Sequence, residues 1–390
     1  MVALIIYNLP EDNIMSAWLL LRDYGMKIPY ERYYELALPG FLFFAIGMYA
    51  IPTRVFVPEF KKVSKVTLSN ERFLIYVTLL GIFIRLINNF LPGGVPFFFS
   101  LLGLIGFAGA FALFASNPRK NYMLAIVVVL LELLNGLRIG MYHDALIWLI
   151  FFVLFYIYVV KPNLSIKLAV SVGMIFFVLF LQAIKFSYRQ EVWYGNKSAN
   201  LSTIKEVSST TLESGILLGE VNLISTLHRV NQAWIFASTV DNMDNGKNFQ
   251  GLTNVNKYLE AVILPRFLAP DKIKSGDRGI FNEFSGQYIE EGTSMGLGIF
   301  ADGYIAYGAW GVYIFGFALG LIFSLTFKIV ERWTKVSPFH VLLLLPLLCY
   351  TVRPDCELQT TINHLFKGIL LYGFLVFLTR KRFTLDSQEN

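Results

Sequence analysis

Residues 167–185 read KLAVSVGMIFFVLFLQAIK, and residues 186–200 after them read FSYRQEVWYGNKSAN. The first run is close to the roughly 20 apolar residues that a bilayer's hydrocarbon core requires. The second opens a polar stretch that continues to residue 295, after which long apolar runs resume. Apolar runs also precede residue 167, so the chain reads as a helical membrane bundle broken once by a large polar segment. The expected fold class is all-α: a polytopic integral membrane bundle of nine to ten spans with one large helical extracytoplasmic loop.

Composition agrees. Hydrophobic residues make up 55% of the 390 and charged residues 15%, against about 25% charged in a typical soluble domain. The net charge of +6 comes from residues beside the apolar runs, so the partner it implies is the lipid bilayer and not a nucleic acid. Expected spans fall at 34–52, 72–91, 96–115, 121–138, 144–160, 167–185, 307–328, 338–352 and 361–379. The divisions are then 1–185 for the first helices, 186–295 for the loop domain, 296–379 for the last helices and 380–390 for a cytoplasmic tail.

Lys and Arg in the connections set the orientation. Arg54, Lys61, Lys62, Lys65 and Arg72 follow span one, Arg119 and Lys120 span three, and Lys161 and Lys167 span five. Lys328, Arg332 and Lys335 follow span seven, and Arg380, Lys381 and Arg382 span nine. The alternate connections, such as Leu91-Pro92-Gly93-Gly94, are nearly free of both. That parity puts 186–295 outside the cytoplasm and the C-terminus inside. It also leaves residues 1–32 outside: either the N-terminus is external or, the favoured reading, Val2 to Tyr7 end a span begun upstream.

The loop has a helical pattern of its own. Leu223, Leu227, Val230 and Trp234 share one arc at 100° per residue, while Ser225, His228, Arg229 and Gln232 share the opposite one. A single helix is expected from Glu213 to Val240. Tyr258 to Phe267 reads as a second short apolar segment. Gly296 to Tyr307 reads as a glycine-punctuated segment dipping into the bilayer before span seven.

Arginines are the main candidates for chemistry. Arg189, Arg229, Arg266, Arg278 and Arg353 map to the outer side, with Arg138 near the outer end of span four. Arginine stays charged and presents a planar fork to phosphate oxygens, and fixed donors stabilise charge on a departing diphosphate. The competing reading is an ordinary surface residue for Arg189 and Arg278, snorkelling for Arg138, and an internal ion pair for Arg85 with Glu132. Candidate bases are His228, Glu283 and Asp302, each also readable as a hydrogen-bonded structural residue. His364 and Lys367 read as packing or snorkelling residues, and Gly316-x-x-x-Gly320 as a close helix contact.

No phosphate-loop or dinucleotide fingerprint occurs. The four histidines lack paired spacing, so no metal or cofactor is implied. Cys349 and Cys356 are seven apart, outside any CxxC, and read as unpaired small residues although a disulfide stays open.

At Arg229-Val230-Asn231-Gln232, Pro265-Arg266, Asn282-Glu283-Phe284, Gly292-Thr293-Ser294, Gly303-Tyr304 and Gly308-x-x-Gly311 the chain resembles bacterial O-antigen and capsule repeat-unit polymerases of the Wzy type. Ala301-Asp302-Gly303 stands where many of these proteins carry a Gly-Glu pair. The resemblance implies an inverting, metal-independent glycosyltransferase of the inner or plasma membrane with its site on the extracytoplasmic side. It would transfer a growing glycan from undecaprenyl diphosphate onto a new lipid-linked repeat unit. Arg229, Arg266 and Arg278 would grip the diphosphate, helped by Arg189, Arg353 and Arg138. Glu283, Asp302 or His228 would activate the acceptor, and a chain-length-determining membrane protein is an expected partner. The rival readings are an O-antigen ligase, a polysaccharide transporter and a membrane scaffold.

Overall fold

The computed structural model describes residues 25–53, 60–88, 96–139, 142–189, most of 191–213, 231–264, 268–289 apart from 270, 295–334, 337–344 and 357–383, with Thr226 and Thr351. All regular structure among them is helical. Four stretches are long and apolar enough to cross a membrane: Phe99–Ser116, Leu164–Lys185, Ile299–Trp333 and Leu358–Thr379. The first is not continuous. It breaks at Leu104 into α4 (Pro96–Gly103) and α5 (Ile105–Ser116). Other helices cover further expected spans: α1 (Tyr30–Tyr49), α3 (Glu71–Asn88), α6 (Pro118–Ile139) and α7 (Tyr142–Val160), with the short α2 (Phe60–Ser69) between α1 and α3. Of the expected span at 338–352, the first part is a 3-10 turn, Pro338–Leu343; the cysteines and most of residues 1–32 lie outside the described residues.

The outermost helix is α8 (Leu164–Arg189). Only 6% of its apolar window is buried inside the protein, leaving Leu164, Leu168, Val172, Ile175 and Phe176 exposed. Exposing such side chains to water costs about 1.5–3 kcal/mol each, so this surface needs lipid. Several apolar helices share that exposure, which marks a membrane protein. In contrast α5 is the central pillar: Phe107 stacks on Trp148 of α7 with ring centres 3.9 Å apart.

The longest element, α13 (Ile299–Thr334), is broken at Tyr307 (φ −145°, ψ 25°) and Gly308 (φ 61°, ψ −142°). Its short arm, Ile299 to Ala306, folds back against the long arm. A Cβ on Gly303 would stand 3.0 Å from the Val312 nitrogen, whereas eight or nine residues of straight helix span about 12–14 Å. Only glycine adopts the φ at 308 without strain. The long arm, residues 309–334, extends roughly 39 Å.

α1 packs along that long arm through glycines. A Cβ on Gly47 would come within 2.9 Å of the Leu321 nitrogen, and one on Gly320 within 2.7 Å of the Met48 nitrogen. The Gly316–Gly320 pair is therefore a close backbone contact, as its spacing suggests. Arg85 and Glu132 form the ion pair left open by the sequence: Arg85 Nε donates to Glu132 Oε2 at 3.1 Å, and Arg85 Nη1 to Ser100 Oγ at 2.7 Å.

Two ends of the bundle differ in chemistry. At one, Lys328 Nζ donates to the Pro52 carbonyl at 2.9 Å, Lys120 pairs with Glu71 at 2.6 Å, and the Arg382 guanidinium lies 4.2 Å over Phe73. His340 joins the Trp333 carbonyl and Thr379 there. The other end carries α10 (Ala233–Asp244), α11 (Thr253–Ile263) and α12 (Arg278–Ser285). α10 and α12 are anchored by a core in which Trp234, Phe236, Phe281 and Phe284 meet Leu36, Ala301 and Tyr304, and α11 by a second one in which Tyr258 meets Ala306, Phe315 and Leu358. α9 (Leu201–Glu213) packs on α8 instead.

The polar segment thus contains helices, but not the continuous one expected from Glu213 to Val240. Asn231 and Gln232 are not helical, and α10 starts only at Ala233; residues 214–230, apart from Thr226, lie outside the described residues. Asn231 accepts the Ala233 N–H at 3.2 Å through its side chain, and such local bonds favour a helix start over a helix interior.

Candidate functional site

The short arm of α13 organises the end of the bundle under α10, α11 and α12. It lies between Gly298 (φ 86°) and Gly308 (φ 61°), both in the left-handed region. Its last carbonyls, Ile305 and Ala306, accept the N–H groups of Gln250 and Gly251 at 2.9 and 3.1 Å, which satisfies a helix end that would otherwise be orphaned. Asp302 and Tyr304, two residues apart, face opposite sides of the arm.

Asp302 is 5% exposed. Its Oδ1 accepts the Tyr258 hydroxyl of α11 at 3.0 Å, and its Oδ2 accepts the Leu358 N–H at 2.8 Å. Leu358 is the first residue of α14 (Leu358–Thr379), so the carboxylate sits at that helix's positive end. Burial pushes the Tyr258 phenol up, and the Asp302 charge adds to it. On the opposite side, Tyr304 donates to Asp244 Oδ1 at 2.6 Å, with Arg32 beside both.

Glu357 precedes α14 and is buried. Its Oε1 accepts the Gly276 N–H at 2.6 Å and the Thr360 hydroxyl at 3.0 Å; Thr360 also meets Ser275. Asp277 caps α12 by accepting the Ile280 N–H at 3.1 Å. Burial raises the Glu357 carboxyl above its ordinary range, with the Asp277 charge adding to the shift and the Gly276 N–H opposing it.

Of the sequence-derived candidates, the structure places Asp302 at the centre of this joint and Arg278 at its edge, half-buried as the first residue of α12. Glu283 lies on the same helix with an exposed side chain, while its carbonyl accepts Asn242 Nδ2 at 3.0 Å and also Lys247. Arg138 occupies the last turn of α6 and Arg189 the end of α8. His228, Arg229, Arg266 and Arg353 lie outside the described residues. Sequence reasoning missed Glu357, Asp244 and the role of Tyr258. The one available signal was Glu357 standing immediately before the last apolar run.

Among the described residues no three His, Cys, Asp or Glu side chains are grouped to hold a metal ion. The joint gathers Asp277, Asp302 and Glu357 around one helix start. Such a neighbourhood suits groups that share hydrogen bonds, such as hydroxyls.

No curated protein and no solved structure matches the chain. One family model does, over residues 31–335, which reach from the start of α1 to just past α13 and stop short of α14. With most of its length covered, this chain belongs to the DUF8712 family, described as a domain of unknown function.

Proposed function

We propose that this protein is a membrane glycosyltransferase that polymerises oligosaccharide repeat units carried on undecaprenyl diphosphate, for O-antigen, capsule or exopolysaccharide. The observation that carries the reading is the layer of short helices α10, α11 and α12, which closes over the Asp302 joint at the end opposite the basic cluster. A transporter needs no such layer. With basic connections inside, the layer lies on the outer face of the inner or plasma membrane, the polar segment is the large outer loop, and the apolar runs make nine spans.

In this scheme the acceptor sugar's hydroxyl oxygen attacks the anomeric carbon of the donor glycan. The bond from that carbon to the diphosphate oxygen breaks, and its electron pair leaves with the diphosphate. Arg229, Arg266 and Arg278 hold that leaving group, with Arg189, Arg353 and Arg138 as further donors; their fixed forks stabilise the developing charge. The hydroxyl proton passes to a carboxylate or imidazole, for which exposed Glu283 and His228 are the candidates. Asp302, with both oxygens engaged, acts as a positioning residue that ties α11 and α13 to the start of α14. The expected partners are the lipid-linked glycan, the bilayer and a membrane protein that sets chain length.

The test is deletion of the gene in its native host, with surface glycan resolved on a gel. Loss of the ladder, leaving one repeat unit on the acceptor, is the expected result. Complete loss of glycan from lipid A core with accumulation of lipid-linked polymer would identify a ligase. An unchanged pattern would overturn the assignment to glycan transfer.

A further inference from the structure

Between α6 and α7, at the basic end of the bundle, the surface opens into a groove of about 340 Å³, within the roughly 300–1,000 Å³ of small-ligand sites. Helical spacing builds its walls. Arg119, Tyr122 and Ile126 recur at three and four residues along one face of α6. Phe152, Tyr156 and Val160 recur at four along one face of α7. Phe114 of α5 forms the floor, its ring centre 6.0 Å from that of Phe152 and 6.4 Å from that of Tyr156. Arg119 to Ile126, like Phe152 to Val160, covers about 10–12 Å of helix, so the groove is a slot running along the helices.

The lining is almost wholly carbon, and among the described residues no carboxylate contributes to it. The charge sits at the mouth, where α6 begins and α7 ends. Arg119 is exposed there, as is Lys161, which follows Val160. Adjacent Lys120 is held by Glu71 at 2.6 Å, whereas the Arg119 guanidinium has no partner among the described residues.

We propose that this groove holds one anionic glycerophospholipid, with an acyl chain along the slot and the phosphate on Arg119. An apolar slot beneath exposed cations is complementary to an amphiphile with a hydrocarbon tail and an anionic head. The guanidinium presents a planar fork to phosphate oxygens, and Tyr122 and Tyr156 suit the level where headgroups meet hydrocarbon. Basic pockets between membrane helices on the cytoplasmic side take such headgroups. In the orientation proposed above that is the leaflet this end meets. A lipid seated there ties the start of α6 to the end of α7, and the site is independent of glycan transfer.

The test uses the full chain in detergent micelles, read by native mass spectrometry. The probes are phosphatidylglycerol and phosphatidylcholine with identical acyl chains. The parent is expected to bind the anionic lipid about fivefold more tightly, the worth of one cation near a lipid surface. Arg119→Gln is expected to erase that preference. Arg380→Gln removes a charge at the same end but outside the groove, and is expected to keep it. Ile126→Trp fills the slot and is expected to lower occupancy by both lipids. Val160→Trp closes the mouth from an exposed position and replaces it if Ile126→Trp lowers the thermal midpoint. Equal binding of the two lipids by the parent overturns the site. So does a preference that survives Arg119→Gln or falls as far in Arg380→Gln. Full occupancy in the Trp variants overturns the seating of the chain in the slot, and displacement of the lipid by inorganic phosphate overturns the phospholipid as occupant.

Discussion

Asp302 illustrates how one charged residue in an apolar stretch can be structural in its contacts and still central to a site. Both of its oxygens accept hydrogen bonds, from Tyr258 and from the Leu358 N–H. An amide at this position keeps an acceptor for the Leu358 N–H and offers its NH2 to the phenol oxygen. Asp302→Asn is therefore expected to fold and to retain long glycan chains. Asp302→Leu strands two buried groups, at about 1–3 kcal/mol each, and is expected to lower the thermal midpoint in detergent and shorten the chains. Loss of polymer in Asp302→Asn with an unchanged midpoint would make Asp302 a base after all. Glu357 carries a pH dependence. Its carboxyl is raised by burial, so the folded state binds its proton more tightly than the unfolded state does. The stability it contributes is complete below the unfolded value and is lost as pH rises through the folded one. Glu357→Gln keeps an acceptor for Gly276 and Thr360 and has no proton to lose. Unfolding midpoints measured from about pH 4 to pH 8 should fall less in that variant than in the parent.

At the scale of elements, glycine contacts divide into those that set the fold and those that do not. Gly320 meets the α1 backbone with no space for a Cβ, whereas Gly173 on α8 has nothing within 4 Å of one. Gly320→Leu is expected to separate α1 from α13 and cut the yield of folded protein sharply. Gly173→Leu is expected to match the parent in yield and midpoint, since its side chain enters open space. Equal yields for the two would show that the α1–α13 contact is dispensable. The apolar runs behind these helices were legible in the sequence because lipid transfer is a property of each run by itself. The break in α13 was only partly legible: glycines flagged a dip before residue 307, but the reversal at Tyr307–Gly308 depends on contacts with α1 and the Gln250–Gly251 turn. The joint was less legible still. Asp302 stood out as an acid in an apolar run, yet Tyr258 lies 44 residues away and Leu358 56, and no local pattern links them. The expected helix from Glu213 to Val240 failed for a related reason: a periodic apolar arc does not register a side chain such as Asn231 that starts a new helix from within.

Taken whole, the molecule has an end layered with short helices and a basic end, and the functional proposal requires them to face different compartments. Lys328, Lys120 and the Arg380–Arg382 turn cluster where α1 ends and α14 finishes. α10, α11 and α12 sit where α1 and α14 begin. Basic residues beside membrane helices are retained on the cytoplasmic side, and the proposed reaction requires a lipid-linked donor in place of nucleotide sugars on the other. A reporter inserted after Asn245, at the exposed end of α10, is expected to register as external. One fused after Phe383, next to the basic turn, is expected to register as cytoplasmic. The pair is more informative than either fusion alone, because a disrupted bundle would scramble both, whereas a reversed orientation would exchange them cleanly. A clean exchange would place the Asp302 joint in the cytoplasm, where activated sugars arrive on nucleotides, and the arginine-based reading of a lipid diphosphate donor would fall with it.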